Sequence, residues 1–393
     1  MDLTRIYAGP YCSMLFADMG AEVIKIEPPE GEIIRDNPPL VKKGEGGPQD
    51  RSRSGYFLTL NRNKFGITLN LKHPRAIALF KDLVKIADII LENYAPGVMT
   101  RLGIDYPVLK EINPRIIMCS ISGFGQWGPY SDRLSFDVIA PAMSGMMSIT
   151  GHPDSPPTKV GTSLGDVNAS VHAAFAIMTA LWHREKKGVG QYIDVSMQET
   201  MVSILEGGVV RWTIGGELLT PIGSMNPHEA PMAAFKCKDG YIIIATVGDE
   251  HWQRFCRAVQ RPDWAADPGY QTKRQRWEKR YFLQAEIEKI TTKHTIKEVG
   301  EMMDKARVAN SPILNIRQVV EDPHLKERGY FVDIEHPVIG KAKIPGIPFK
   351  LSETGGEIER PSPLVGEHNE LIFGKYFGIS PEEIKKLKDE GVL

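Results

Sequence analysis

Pro10-Tyr-Cys-Ser-Met-Leu-Phe-Ala-Asp-Met-Gly-Ala-Glu-Val-Ile-Lys-Ile-Glu27 reads as a helix that runs into a short strand. Pro10 and Tyr11 open the helix, Met14, Leu15 and Phe16 form its apolar side, and Gly20 ends it where a left-handed backbone favours glycine. Val23–Ile26 is the strand, closed by Glu27-Pro-Pro29. The alternation continues outward. Ile67-Thr-Leu-Asn-Leu71 alternates like a strand, and a helix begins at Pro74, with Ile77, Leu79, Phe80, Leu83 and Val84 at helical spacing. Ile89–Leu91 and Arg115–Ile121 are buried strands, ending in Glu92-Asn-Tyr94 and in the turn Ser122-Gly-Phe-Gly125. Strand and helix in alternation predict an α/β fold with a parallel sheet covered on both faces. Ligands of such sheets sit beyond the carboxyl ends of strands. That points to Glu27, Asn93, Tyr94 and the turn after Ser122. The polar, Gly- and Pro-rich stretch from Pro28 to Ser54 is expected to be a long surface loop of the functional kind.

A second stretch, Gly161-Thr-Ser-Leu-Gly-Asp-Val-Asn-Ala-Ser170, places Asp166 at the start of a helix running to about Lys187, with Val171, Ala174, Phe175, Met178 and Leu181 expected on its buried face. Aspartate is among the best N-cap residues, and position alone favours that reading. The small neighbours Gly161, Ser163, Gly165, Ala169 and Ser170 also leave room for a ligand, and a helix N-terminus keeps a carboxylate ionised, as a nucleophile requires. Beyond it, Gln191–Val195 reads as a strand and residues 200–235 as a linker. A second unit begins at Lys238 with a strand to Ala245 and a helix from Glu250 to Val259, and helical patterns continue to about Lys305. Asp322–Gly329 reads as a capped short helix, and Ser380-Pro-Glu-Glu383 as a capping box.

Composition narrows the function classes. The 393 residues carry 48 Lys and Arg against 49 Asp and Glu, and this near-neutral balance gives no reason to expect a nucleic acid or an anionic membrane as partner. Cys12, Cys119, Cys237 and Cys256 form no C-x-x-C pair or zinc spacing, so no metal site is expected and a reducing compartment suits them. No basic, apolar leader stands at the N-terminus and the apolar runs read as too short to span a bilayer, so the expectation is a cytoplasmic protein.

Several chemistries lack their motifs. Glu27 ends a strand as a ribose-binding acid would, but the preceding turn has no G-x-G-x-x-G, so NAD binding is not expected and Glu27 reads as a solvated acid at a sheet edge. Asn61-Arg-Asn-Lys64 and Arg101 suit phosphates by position, or are solvated surface groups. Ser163 lies in no G-x-S-x-G, and the ten histidines, His172 among them, form no H-E-x-x-H. Met143, Met146, Met147, Met225 and Met232 suggest a pliable lining for a bulky acid, although methionines more often fill core gaps.

Taken in order, Asp2-Leu-Thr-Arg-Ile-Tyr-Ala-Gly-Pro10, Gly20–Glu27, Asn61–Lys64 with Ile67–Leu71, Glu92-Asn-Tyr-Ala-Pro-Gly97 with Arg101-Leu-Gly103, Ser122–Gly125, Gly165-Asp166, Gly188–Val195 and Gly366-Glu-His-Asn369 resemble the class III CoA-transferases, the family of formyl-CoA transferase and carnitine CoA-transferase. The resemblance implies a Rossmann-like large domain built from residues 1–200 and 316–393, a linker over 201–225 and a smaller α+β domain over 226–315. It implies an interlocked homodimer of ring-shaped subunits, with a heteromer of paralogues as the other arrangement. Asp166 falls on the family's nucleophile, with Asp137 as a group orienting it or as a turn aspartate. Ile6, Tyr7, Ala8, Leu69, Asn93, Tyr94 and Arg101 fall on positions lining the coenzyme A site. Coenzyme A is then a substrate, acyl-CoA and a carboxylic acid are the partners, and no tightly bound cofactor is implied.

Departures from the family pattern have their own implications. Relatives carry about one further strand before Asp2, of ordinary strand length, whereas this chain starts at Met1. Gly223-Ser-Met-Asn-Pro-His-Glu229 stands where formyl-CoA transferase has a glycine-rich flap, Leu134 where it has a lysine, with Arg133 as the substitute, and Tyr7 where it has a glutamine. The racemases of the same fold use a histidine where Phe136 stands, and phenylalanine moves no proton. A CoA-transferase is the expectation, with a racemase or a non-catalytic subunit as the rivals.

Overall fold

Short runs of β-branched residues form the strands of a parallel sheet in the computed structural model, which describes residues 1–41 and 52–393. β1 (Ile24–Glu27) pairs with β2 (Phe65–Thr68), and β3 (Ile89–Glu92) pairs with β4 (Ile117–Ser122), which pairs with β5 (Tyr192–Ser196), all parallel. The two sets are joined by the first residues of the chain. Asp2 N–H donates to Ile24 C=O at 2.8 Å and Leu3 N–H to Leu91 C=O at 2.9 Å, so Met1–Leu3 lies between β1 and β3 as a short central strand. The helices met before β5 ends are α1 (Ala8–Asp18), α2 (Gly55–Asn61), α3 (Pro74–Val84), α4 (Val98–Arg101), α5 (Tyr106–Ile112), α6 (Ile139–Met143), α7 (Met146–Ile149) and α8 (Leu164–Lys187). The result is a mixed α/β protein with a parallel sheet.

The chain divides into two compact units. One comprises Met1–Met146, Val160–Val209 and His324–Leu393, the other Met147–Lys159 and Val210–Pro323. In the second, β6 (Met232–Cys237), β7 (Gly240–Ala245) and β8 (Ala309–Pro312) form an antiparallel sheet. Its core is aromatic, with Trp252 stacked on Trp264 at 6.2 Å and the buried Arg276 donating to the carbonyls of Ala230 and Tyr270. In the first unit, the chain's last third adds the hairpin of β9 (Phe331–His336) and β10 (Gly340–Pro345). The Gly366–Asn369 segment closes the open edge of β2. His368 Nδ1 accepts from Gly66 N–H at 3.0 Å and Asn369 Oδ1 from Thr68 N–H at 2.9 Å, satisfying donors that an edge strand would otherwise present to other chains.

Several expectations change. Residues 200–235 are not a featureless linker: α9 (Met197–Ser203), the helix Gly208–Gly215 and β6 fall there, each too short to leave a periodic signal. The stretch after Pro28 is a surface loop only in part: Glu32, Ile34 and Arg35 are buried, residues 36–40 are exposed, and residues 42–51 lie outside the described ones. The face of α8 is also turned from the expected one: Ala174 and Leu181 do pack against the core, but Val171, Phe175 and Met178 do not. Ala169, Ala173, Ile177 and Ala180 are buried, while Val171, Phe175, Met178 and Trp182 are exposed, Phe175 by 75% and Trp182 by 67%. Small side chains let α8 lie close against α1 and β4, so the bulky apolar residues point away. At 24 residues α8 spans about 36 Å, and on length and apolarity it reaches membrane-crossing size, contrary to the reading that no run does so. Its small-residue face is packed into the α/β layers of this unit.

Candidate active site

α8 starts at N-cap Ser163, whose side chain makes no capping bond, and Asp166 is the third helical residue rather than the cap. The capping acceptor is Asp137, on the turn before α6. Its Oδ1 accepts from the N–H of Gly165 at 3.0 Å and of Asp166 at 3.4 Å. A glycine is needed at 165 for this approach, since a Cβ there would lie 2.9 Å from the Asp137 carbonyl oxygen and 3.3 Å from its Oδ1. Both carboxylates sit where the helix dipole favours negative charge.

One turn on, the buried Ser170 hydroxyl lies 2.5 Å from the Ala8 carbonyl and 2.6 Å from that of Asp166. This docks the start of α1 on the start of α8, and Gly9 permits it: a Cβ there would overlap Thr4 at 2.1 Å. Tyr7, just before α1, stacks on Tyr11 at 5.9 Å and meets Tyr56 edge-on at 5.5 Å. Burial first, then the neighbouring phenols and the charges of Asp166 and Asp137, push the Tyr7 phenol up to about 12. Burial likewise raises Tyr56, with Asp166 and Asp137 adding to it while a hydrogen bond with Ser163 opposes them. Tyr7 and Tyr56 therefore carry their protons at neutral pH, and both phenols feel the Asp166 charge.

The turn leading into α1 is held on every side. Lys25 Nζ donates to the Thr4 carbonyl. Arg5 gives its N–H to Asn93 Oδ1 at 2.8 Å, and its carbonyl accepts from Asn93 Nδ2 at 2.9 Å. Ile6, at φ +66°, gives its N–H to Glu32 Oε2 at 3.0 Å. Arg5 also lies over the Tyr94 ring at 5.2 Å. Ile6, Tyr7, Ala8, Asn93 and Tyr94 are thus gathered at the carboxyl ends of the central strands, with Asp166 and Asp137 joined to them through Ala8 and Tyr7. Beside them the Glu92 carboxyl is pushed up to about 7 by burial.

The other expected residues stand differently. Leu69 packs its side chain in the sheet core and gives its N–H to the Glu27 carbonyl. Arg101 is exposed on α4, its guanidinium beside Gly97, and the exposed Arg133 lies over the Tyr130 ring at 4.8 Å. Asn61–Lys64 is not a phosphate-facing or solvated group. Lys64 is buried and donates to Asp2, Pro10 and Asn61 at 2.9–3.0 Å, and Arg62 pairs with Asp18 at 2.7 Å. Glu27 is not solvated either, since it is buried and held by two 2.7 Å bonds from Arg35. Sequence reasoning missed Tyr56, Ser170 and Glu32. Only Ser170 left a signal there, as one of the small residues around Asp166. Among the described residues, no group of three or more His, Cys, Asp or Glu is placed to hold a metal ion. A carboxylate in the first turn of a helix, its charge felt by two protonated phenols, suits attack on an electrophilic carbonyl.

Comparison with known proteins agrees with that chemistry. The CoA-transferase family III profile matches residues 1–369. The chain is 38% identical over 375 residues to the succinyl-CoA:mesaconate CoA-transferase of Haloarcula marismortui, covering 94% of this chain and 92% of that one. It is 33% identical over 399 residues to the succinyl-CoA:glutarate CoA-transferase of Homo sapiens, covering 100% and 88%. A CAIB/BAIF family protein of Brucella suis has the same fold, at a TM-score of 0.84 and 31% identity over 95% of this chain and 97% of that one. With its whole length so matched, the chain belongs to CoA-transferase family III and is an enzyme that moves coenzyme A from an acyl-CoA thioester to a carboxylic acid.

Proposed function

We propose that Asp166 is the nucleophile of this transfer, and that succinyl-CoA and a short dicarboxylic acid are its substrates. The observation that carries the first part is the start of α8, where Asp137 accepts from the Gly165 and Asp166 N–H groups and Asp166 stands in the first helical turn, in the field that favours negative charge. A carboxylate oxygen of Asp166 attacks the thioester carbonyl carbon, and the C–S bond breaks as CoA thiolate leaves. Thiols ionise near ~8.5, so the leaving group is good. The product is a mixed anhydride. The thiolate then attacks the Asp166 carbonyl, expelling the donor acid and leaving an aspartyl-CoA thioester. The acceptor carboxylate attacks that thioester, thiolate leaves again, and its return to the acceptor's carbonyl releases the new acyl-CoA and restores Asp166. Each step is a carbonyl addition and elimination without net proton change, and one difficult exchange is divided into easier ones.

The helix-start N–H groups of Gly165 and Asp166 are given to Asp137, so the oxyanion-donor role falls to the Tyr7 and Tyr56 phenols, where one donor is typically worth about 10²–10³ in rate. Asp137 orients Asp166 through its backbone. Ile6, Tyr7 and Ala8 with Asn93 and Tyr94 form the coenzyme A wall, Leu69 supports it through the backbone, and Arg101 and Arg133 are the cations for its phosphates. The activities of the relatives, transfer from succinyl-CoA to mesaconate or glutarate, support the substrate class.

The test is to mix the enzyme with succinyl-CoA alone, add borohydride and map the reduced residue by peptide mass spectrometry. Reduction at Asp166, lost in Asp166→Asn together with transfer, is expected; an Asp166→Asn enzyme that still transfers CoA refutes the assignment. The exposed Val171, Phe175, Met178 and Trp182 stripe on α8 supports an interlocked homodimer in which a second copy covers it, since apolar stripes of this kind mark interaction surfaces.

A further inference from the structure

Ile6 is a β-branched residue in the left-handed region, at φ +66°. That conformation is strained for a residue of this type and persists only where the surroundings impose it. Here Glu32 imposes it. Its Oε2 accepts the Ile6 N–H at 3.0 Å, its Oε1 lies 3.1 Å from Lys25 Nζ, and the side chain is only 2% exposed. Lys25 in turn donates to the Thr4 carbonyl and lies 3.9 Å from Asp2, so the clamp is anchored in the sheet. The residue after Ile6 carries the phenol that feels the Asp166 charge, and the next carries the carbonyl that faces Ser170.

We propose that Glu32 is a positioning residue for the transfer reaction: by clamping the Ile6 peptide it fixes the Ile6–Ala8 turn against which acyl-CoA binds. The assignment rests on the reading of Ile6–Ala8 as part of the coenzyme A wall. A loose turn must be ordered at each binding event, and that cost appears chiefly in substrate affinity. Glutamate has the length to reach both Ile6 and Lys25, whereas aspartate keeps the charge but is one methylene too short to hold both.

The experiment compares Glu32→Asp and Glu32→Gln in the full-length enzyme, each alone and with Ile6→Gly, because glycine adopts a positive φ without a clamp. Transfer kinetics and hydrogen exchange at the Ile6 amide are read together. Expected are a roughly tenfold rise in KM for acyl-CoA in Glu32→Asp, a fall in kcat of no more than about threefold, and a clear loss of Ile6 amide protection. Glu32→Gln keeps an acceptor and changes KM by no more than about threefold. In the Ile6→Gly background, Glu32→Asp changes KM by no more than about twofold. Unchanged protection at Ile6 in Glu32→Asp overturns the clamp. Lost protection with an unchanged KM overturns the coenzyme A wall on which the assignment rests. Equal losses with and without Ile6→Gly mean that Glu32 serves folding alone.

Discussion

Gly165→Ala tests the start of α8 directly. Helix propensity argues that the change should stabilise, since alanine is favoured over glycine by about 0.8–1 kcal/mol inside a helix. Geometry argues the opposite. The new Cβ would stand 2.9 Å from the Asp137 backbone oxygen, 3.3 Å from its Oδ1 and 3.3 Å from Pro141 Cδ. The closest of these is main chain, so the turn before α6 must move by several tenths of an ångström. Forced insertion of this kind costs about 1–3 kcal/mol. The shift also stretches the 3.0 and 3.4 Å bonds to Asp137, which contribute roughly 1 kcal/mol each. Set against the propensity gain, a net loss of about 2–4 kcal/mol is expected. Catalysis should suffer as well, because a displacement near 1 Å at a reacting group costs on the order of 10²-fold and this shift is a good part of that. The assay pairs urea unfolding with CoA transfer followed by mass spectrometry, and kcat is expected to fall 10- to 100-fold with a smaller change in KM. A Gly165→Ala enzyme more stable than the parent, with kcat within about twofold, would show that Asp137 does not hold this helix start.

Two further outcomes follow from buried groups. Glu92, held protonated up to about pH 7 by burial, binds a proton in the folded state that the unfolded chain releases near its ordinary value of 4.5. Its contribution is present below pH 4.5 and is lost as the pH rises through 7, a difference on the order of 3 kcal/mol. Glu92→Gln, which keeps an oxygen for the Tyr94 N–H, should therefore gain in urea midpoint relative to the parent between pH 5 and pH 8; an identical difference at both pH values contradicts the assignment. Ser170→Ala leaves the Ala8 carbonyl without its hydroxyl donor and should cost about 1–3 kcal/mol in urea unfolding, with an unchanged midpoint as the contrary result.

Local pattern carried the sheet and failed where meaning came from distant contacts. Ile89–Leu91 and the strand ending at Ser122 are buried on both faces, so their unbroken apolar runs were readable as strands. Met1–Leu3 is a central strand only because β1 and β3 flank it, and three residues have no period of their own. Asn61–Lys64 is polar in sequence and buried in the fold, since its partners Asp2 and Asp18 lie more than forty positions away. On α8 the large apolar residues suggested the packed face, yet close approach to α1 selects alanine and serine, and bulk is sent outward. At the site, Asp166 was visible as an acid at a helix start, and Asp137 as a possible orienting group. Tyr56 was not, because only the tertiary approach of α2 brings its phenol to them.

On the proposed mechanism, capping and attack at the start of α8 are divided between two acids. A helix start offers several unpaired N–H groups and a favourable field for negative charge. A single aspartate filling both needs would commit lone pairs to the backbone. Here Asp137 reaches in from the turn before α6 and accepts from two of those N–H groups through one oxygen. Asp166, three residues inside the cap position, remains within the same field without having to satisfy those donors itself. The arrangement needs a residue without a side chain at 165 and a second acid from another element, and both are present. On the proposed mechanism, Asp137 therefore acts by taking the capping task away from the attacking carboxylate. Since the capping bonds need only an acceptor oxygen, Asp137→Asn should retain most of the geometry, while Asp137→Ala should return the two N–H groups to Asp166 and draw it back toward the helix.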